Sequence, residues 1–186
     1  MQAIGITGSI ATGKSTVSTY LKKQGYIVLD SDLFSREAFF DPACKKVLYQ
    51  TFGPLIDDRK ALAKYIFENK EARKKLEDIV HPYVIDRLQN GLEKHQKEKL
   101  VFLDIPLLYE CQLQYLCDII MVVYCDEKTQ IERLALRDAI SHTYAKKKVQ
   151  SQLSIVQKRK WADIVLDNTK SKAHLLQQLE EVLQRL

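Results

Sequence analysis

The segment Gly8-Ser9-Ile10-Ala11-Thr12-Gly13-Lys14-Ser15 follows an apolar run at 3–7 and precedes a helical pattern, and it constrains this chain more than any other feature. Three of the six glycines (Gly5, Gly8, Gly13) fall within the first thirteen residues, so unusual backbone freedom is needed there. The pattern G-x-x-x-x-G-K-[ST] between a strand and a helix is that of a phosphate cradle. Gly8 and Gly13 permit a turn whose successive N–H groups point inward at phosphate oxygens, and the following helix adds its positive dipole end. Lys14 is placed to reach β- and γ-phosphates, and the Ser15 hydroxyl to ligate Mg²⁺. The competing reading is a glycine-bearing strand–helix turn with no nucleotide, which the flanking strand and helix disfavour.

Five short apolar runs read as strands: 3–7, 26–29, 100–103, 119–124 and 164–166. They are rich in Val, Ile and Leu with little polar alternation, as in parallel strands covered on both faces. Helical patterns separate them, including 15–24 after the first strand and Leu175, Leu179, Val182, Leu183 and Leu186 at the end. Strand–helix alternation predicts a parallel α/β sheet with right-handed crossovers. The link between the second and third strands is too long for one crossover helix. It predicts a helical insertion over 34–96, punctuated at Asp41-Pro42, Gly53-Pro54 and His81-Pro82.

With 46% hydrophobic and 28% charged residues, the 186-residue chain has the composition of one soluble globular domain. No run approaches the roughly 18 apolar residues of a membrane span, and no basic, cleavable leader is expected at the N-terminus. The four cysteines make no C-x-x-C pair, so buried reduced thiols in a cytoplasm are expected. The net charge of +5 admits nucleic acid, a membrane surface or a phosphate-rich small molecule. Its distribution narrows the choice. Residues 132–160 carry eight Lys/Arg against two Asp/Glu, a net +6, and the remainder sums to −1. An excess confined to one segment needs no broad nucleic-acid face to explain it. A GTPase switch is disfavoured, because neither N-K-x-D nor D-x-x-G occurs.

Asp30-Ser31-Asp32 follows the second strand, where the carboxyl ends of strands line the ligand crevice of an open α/β sheet. These carboxylates either face a γ-phosphate, orienting an acceptor hydroxyl and taking its proton, or cap the next helix. If the pleat holds to the strand end, Asp30 and Asp32 share a face and Ser31 opposes them. Asp104 ends the third strand as a candidate Mg²⁺ acid, or as an ordinary strand terminus. Arg133 and Arg137, four apart, share a helix face; they neutralise transition-state charge or pair with Glu132 and Asp138 on a solvated surface. Lys146-Lys147-Lys148 reads as a solvated face.

In order and spacing these residues resemble the dephospho-CoA kinase family, from about residue 4 to residue 168. The resemblance rests on Gly5-Ile6-Thr7-Gly8 into the loop, Asp30-Ser31-Asp32, His81-Pro82 and Pro106-Leu107-Leu108-Tyr109-Glu110. It continues through Arg133-x-x-x-Arg137-Asp138, Gln152, Lys158, Ala162-Asp163 and Asp167-Asn168. It implies a three-layer α/β/α P-loop kinase with a five-stranded parallel sheet, a helical CoA-binding insertion at 34–96 and a lid at 132–160. The core would be 1–33, 97–131 and 161–186. It implies ATP- and Mg²⁺-dependent phosphorylation of the ribose 3′-hydroxyl of dephospho-CoA, the last step of CoA synthesis, in the cytoplasm. The chain would be a monomer or weak homo-oligomer with no nucleic-acid or membrane partner.

By the same resemblance, Asp32, Lys14 and Arg137 are catalytic. Gly8, Ala11, Thr12, Gly13, Lys14, Ser15, Thr16 and Asn168 bind ATP, with Asn168 toward the adenine. Asp32, His81, Pro82 and Arg133 meet the acceptor, Ser15 and Asp104 hold the metal, and Lys158 is a weaker lid candidate. Two departures stand out. Ser9, Ala11 and Thr12 occupy positions often filled by Gly, Gly and Ser, and the stretch 52–59 is short and lacks a glycine before the next helix. A nucleoside monophosphate kinase shares sheet, loop and lid, and an ATP-dependent binding module shares the loop. Asp30-x-Asp32 with His81-Pro82 favours the first kinase over the second, and a carboxylate at the acceptor position favours both over the module.

Overall fold

The computed structural model describes residues 1–186. Its strands are β1 (Gln2–Gly8), β2 (Ile27–Asp30), β3 (Leu100–Asp104), β4 (Ile119–Tyr124) and β5 (Ile164–Asp167). They form one five-stranded parallel sheet in the order β2-β3-β1-β4-β5, within a three-layer α/β/α fold. Three of the five strands end on an aspartate just past the apolar run: Asp30, Asp104 and Asp167. The register sets Ile6 of β1 beside Asp104 of β3, and Gly8 beside Val123 of β4. The strand order reverses at β1, so the crevice beyond the carboxyl ends of β1 and β3 is the expected ligand position.

The nine α-helices are α1 (Lys14–Lys23), α2 (Ser31–Glu37), α3 (Pro42–Phe52), α4 (Arg59–Glu68), α5 (Lys70–Lys94), α6 (Glu127–Asp138), α7 (His142–Gln150), α8 (Ile155–Trp161) and α9 (Lys172–Leu183). The chain divides into two compact units: Met1–Leu29 with His95–Leu186, and Asp30–Lys94. In the first, Ile4, Ile6, Phe102, Met121, Val123 and Leu166 of the sheet pack on Val17 and Leu21 of α1 and on Leu175 and Leu179 of α9. Burial of each such side chain contributes about 2 kcal/mol. This packing holds the start of α1, and so Lys14, at the end of β1.

In the second unit α5 is the spine, and α2, α3 and α4 pack against it. Helix starts are specified locally. Asp41 accepts a hydrogen bond from Cys44 N at 2.9 Å, with Pro42 in the first turn of α3. Asp58 accepts from Lys60 N and Ala61 N, both at 3.0 Å, at the start of α4. Each such cap is worth about 1 kcal/mol. Asp58 therefore supplies the start of the helix before which the short stretch 52–59 lacks a glycine. Gly53-Pro54 does interrupt the helices, as a 3₁₀ turn over Gly53–Asp57.

His81-Pro82 does not. Pro82 lies inside the 25-residue α5, so the expected break there is corrected. An interior proline loses one backbone hydrogen bond and costs about 3 kcal/mol, but buried Val80 and Val84 anchor the helix on either side of it.

Candidate active site

The loop closes on itself before α1 begins. Thr12 N and Thr12 Oγ1 both donate to Ser9 O, at 3.3 and 2.9 Å, and Thr16 N donates to Gly13 O at 2.9 Å. Gly13 has φ 98°, a left-handed conformation that suits glycine, and a Cβ there would also collide with Asn168 Nδ2. A Cβ on Gly8 would lie 2.6 Å from Thr12 Oγ1 and 2.9 Å from Val123 O. No acidic side chain occupies the first turn of α1, so its positive end is left for an anion.

Ala11 is the exception to the glycine rule, with φ 63°. A left-handed backbone costs an L-residue about 1 kcal/mol or more, an expense that glycine at this position avoids. Ala11→Gly is therefore expected to raise the urea-unfolding free energy by about 0.5 kcal/mol, after allowing for glycine's greater unfolded-state entropy. An unchanged or lower midpoint would show that the strain is relieved elsewhere.

Lys14 and Asp104 form an ion pair at the carboxyl ends of β1 and β3, with side-chain exposures of 16% and 6%. Asp104 is thus beside the loop, as its register with Ile6 requires. Ser15 is exposed in the first turn of α1. A cleft of about 290 Å³ opens next to it, lined by Thr16, Thr19, Tyr20, Lys23 and Lys172.

The start of the loop is held from distant sequence. Ile10 N donates to Gln152 Oε1 at 2.9 Å, and Ser9 Oγ donates to Leu153 O at 3.3 Å. Ile10 and Ala11 pack on Leu134 and Ala135 of α6 and Ala145 and Val149 of α7. The Lys158 ammonium, wholly buried, lies 2.8 Å from Glu110 Oε1, 3.0 Å from Pro106 O and 3.5 Å from Gly8 O. Lys158 is therefore no exposed lid arm. Gln152, Glu110 and Lys158 are the residues whose place sequence reasoning missed. Their only local signal was membership of a motif, because their partners lie 43 to 150 positions away.

Asp30 and Asp32 part company. The strand ends at Asp30 and α2 starts at Ser31, so the pleat does not continue, and the expectation that the two carboxylates share a face is corrected. Asp30 is the cap, accepting from Asp32 N at 3.1 Å and Leu33 N at 3.2 Å. Asp32 is exposed in the first turn, where its backbone carbonyl accepts from Arg36 Nε at 3.1 Å. The cap, which spacing alone could not assign, thus falls to Asp30 and leaves the Asp32 carboxylate out of the two capping bonds. His81 and Pro82 lie on α5, against which α2 packs.

The two arginines of α6 do not act alike. Arg133 donates to Asn168 O at 3.0 Å, whereas Arg137 donates to Asp138 Oδ1 at 2.8 Å on the surface. Hydrogen bonding to Asp138 holds the Arg137 guanidinium above its ordinary pKa and the carboxylate of Asp138 below its own. Asn168 is buried, and its side-chain amide donates to Thr12 O at 2.8 Å. This amide, expected near adenine, serves the loop itself.

Much of the basic excess of 132–160 is already partnered. Lys148 lies 3.7 Å from Asp138, and Arg159 stacks 4.6 Å from the centroid of Tyr124. Burial pushes the Cys117 thiol up to about 12 and the Cys125 thiol up to about 11, away from the thiolate form.

Comparison with known proteins gives this geometry a family. The model of CoaE, dephospho-CoA kinase, matches residues 2–174. A dephospho-CoA kinase of Fusobacterium nucleatum is 38% identical over 183 residues, covering 95% of this chain and 94% of that one. The crystal structure of TT1252 from Thermus thermophilus superposes with a TM-score of 0.85 at 35% identity, covering 100% of this chain and 97% of that one. Dephospho-CoA kinase from Campylobacter jejuni gives 0.73 at 30% identity, covering 98% and 95%. With a glycine-lysine cradle at the end of β1, an acid at the end of β3 and this match along nearly its whole length, the chain belongs to the dephospho-CoA kinase family.

Proposed function

We propose that this protein transfers the γ-phosphoryl group of ATP to the ribose 3′-hydroxyl of dephospho-CoA, giving CoA and ADP. The observation that carries the reading is the Lys14–Asp104 pair at the end of a glycine-bounded loop, in a chain of this family. The loop N–H groups and the start of α1 receive the phosphates. Lys14 swings from Asp104 onto the β- and γ-oxygens, and Thr16 and the adjacent cleft take the nucleoside side. Asn168 and Gly8, Ala11, Thr12 and Gly13 shape the loop. Asp32 accepts the proton of the 3′-hydroxyl as its oxygen attacks phosphorus, with His81 and Pro82 on the neighbouring helix positioning the acceptor.

The donor set of one carboxylate and one hydroxyl, Asp104 and Ser15, fits Mg²⁺, which binds few protein oxygens and keeps several waters. When bound there it would neutralise charge on the β- and γ-phosphates. Residues 132–160 act as the lid, anchored to the loop through Gln152 and Lys158, and 34–96 receive the CoA moiety. Arg133, which donates to the Asn168 carbonyl, would meet the acceptor by leaving that bond. Arg137 joins the phosphates by exchanging its partner Asp138, a small change because the pair is exposed and screened by solvent. A reducing cytoplasm suits the four free cysteines, and no helix is long and apolar enough to cross a membrane. The small-molecule substrates call for no nucleic acid or membrane, and a monomer or weak homo-oligomer suffices.

The test is ADP release from ATP·Mg²⁺ with dephospho-CoA, AMP, CMP or dTMP as acceptor. Turnover with dephospho-CoA and not with the three monophosphates is expected. Turnover only with a monophosphate would replace this reading with that of a nucleoside monophosphate kinase.

A further inference from the structure

Lys158 sits on the short helix α8 with none of its surface exposed. Burying an ammonium costs several kcal/mol, so the fold must gain something by keeping it. Its neighbours show what. Gly8 O belongs to the last residue of β1, where the phosphate loop begins, and Pro106 O lies two residues beyond Asp104 at the end of β3. Thr7 Oγ1 also donates to Pro106 O, at 3.0 Å. Glu110 Oε1, besides meeting Lys158, accepts from Leu153 N at 3.1 Å. One cation thus gathers two backbone carbonyls and a carboxylate from two segments, at Gly8 and at 106–110, which are far apart in sequence from each other and from α8. Without it the Gly8 and Pro106 carbonyls would converge with no positive charge between them.

We propose that Lys158 is a positioning residue for the nucleotide site, its ammonium fixing the gap between the ends of β1 and β3 in which Lys14 and Asp104 meet. The bond to Gly8 O sets the plane of the first peptide of the loop, and with it the direction of the N–H groups that follow. The bond to Pro106 O holds the segment that carries Asp104. Glu110 faces the Lys158 nitrogen at 2.8 Å and opposes the fall in the lysine pKa that burial causes. Hydrophobic side chains of similar volume can replace a buried ion pair at little cost in stability. A purely structural tie would therefore be dispensable once both charges are removed together, whereas a positioning cation would not.

The inference rests on reading the loop as an ATP site, and its deciding readouts, ATP binding and thermal unfolding, do not require acceptor turnover. Lys158→Met and the double variant Lys158→Met/Glu110→Gln are compared with the unsubstituted protein by thermal unfolding and by calorimetric titration with ATP·Mg²⁺. The single variant is expected to lower the unfolding temperature, and the double variant to recover most of that loss. In the double variant ATP binding stays weaker by about tenfold or more, since a displacement of about 1 Å at a phosphate site is enough for such a loss. Where acceptor turnover is measured, KM for dephospho-CoA stays within about twofold, because the partners of the Lys158 ammonium are Gly8, Pro106 and Glu110 and none of the residues assigned to the acceptor. A double variant that binds ATP within about twofold of the unsubstituted protein would overturn the proposal and leave a structural ion pair. An unsubstituted protein that binds ATP but phosphorylates no dephospho-CoA would instead sink the functional reading and leave this test intact.

Discussion

Replacing Lys14 with alanine is expected to lower kcat/KM for ATP by about 10³-fold and to weaken ATP binding itself. Two losses combine. The ammonium is the one side-chain cation in the loop, and removal of a single well-placed charge-stabilising group costs about 10² to 10³ in rate. Lys14 also faces Asp104, whose side chain is only 6% exposed, so the substitution deprives a buried carboxylate of its cation. The pair is only partly buried, so its loss costs less than the roughly 3–5 kcal/mol of a fully buried one, and the variant should still unfold at a lower temperature. Lys14→Ala/Asp104→Asn should recover stability without recovering ATP affinity. Steady-state kinetics, calorimetry and thermal unfolding on the two variants check this. Unchanged ATP affinity in Lys14→Ala would remove the phosphate-cradle reading of 8–15.

Asp32→Asn is expected to leave ATP binding within about twofold and to lower kcat by about 10² to 10⁴, the range for loss of a positioned general base. The geometry of α2 makes the experiment specific. Asp30, not Asp32, caps the helix, so an amide at position 32 leaves both capping bonds in place. Asp30→Ala is the control. It removes the cap, costs about 1 kcal/mol of stability and should alter kcat far less than Asp32→Asn does. Near-normal turnover by Asp32→Asn would remove the base assignment. A large loss of turnover with Asp30→Ala alone would move the base assignment to Asp30.

How far each element could be read in advance follows from the range of the forces that build it. The five strands and the helix after the loop were legible because apolar runs and the glycine pattern act over a few residues. The phosphate cradle was legible for the same reason: all its N–H donors lie within 8–15, and a local turn brings them together. Asp41 and Asp58 show capping at equally short range. Pro82 shows the opposite. Proline in a helical pattern signals a break, yet packing of the apolar positions around it keeps α5 continuous. The Asp30-Ser31-Asp32 motif was visible, but the division of labour within it depended on where strand gives way to helix, a boundary that motif spacing does not contain.

The basic excess at 132–160 shows most clearly what sequence and tertiary structure each decide. The sequence by itself determined that eight cations lie there, that a phosphate loop lies at 8–15, and that the chain alternates strands and helices as a parallel sheet requires. Only the tertiary structure decided which cation does what. It turned Arg137 toward Asp138, joined Arg133 to the Asn168 carbonyl and drew Lys158 into the interior between Gly8, Pro106 and Glu110. The physical reason is that a charge is placed by the oxygens that can compensate for its lost water. Those oxygens belong to residues up to 150 positions away, which only folding brings within 3.5 Å.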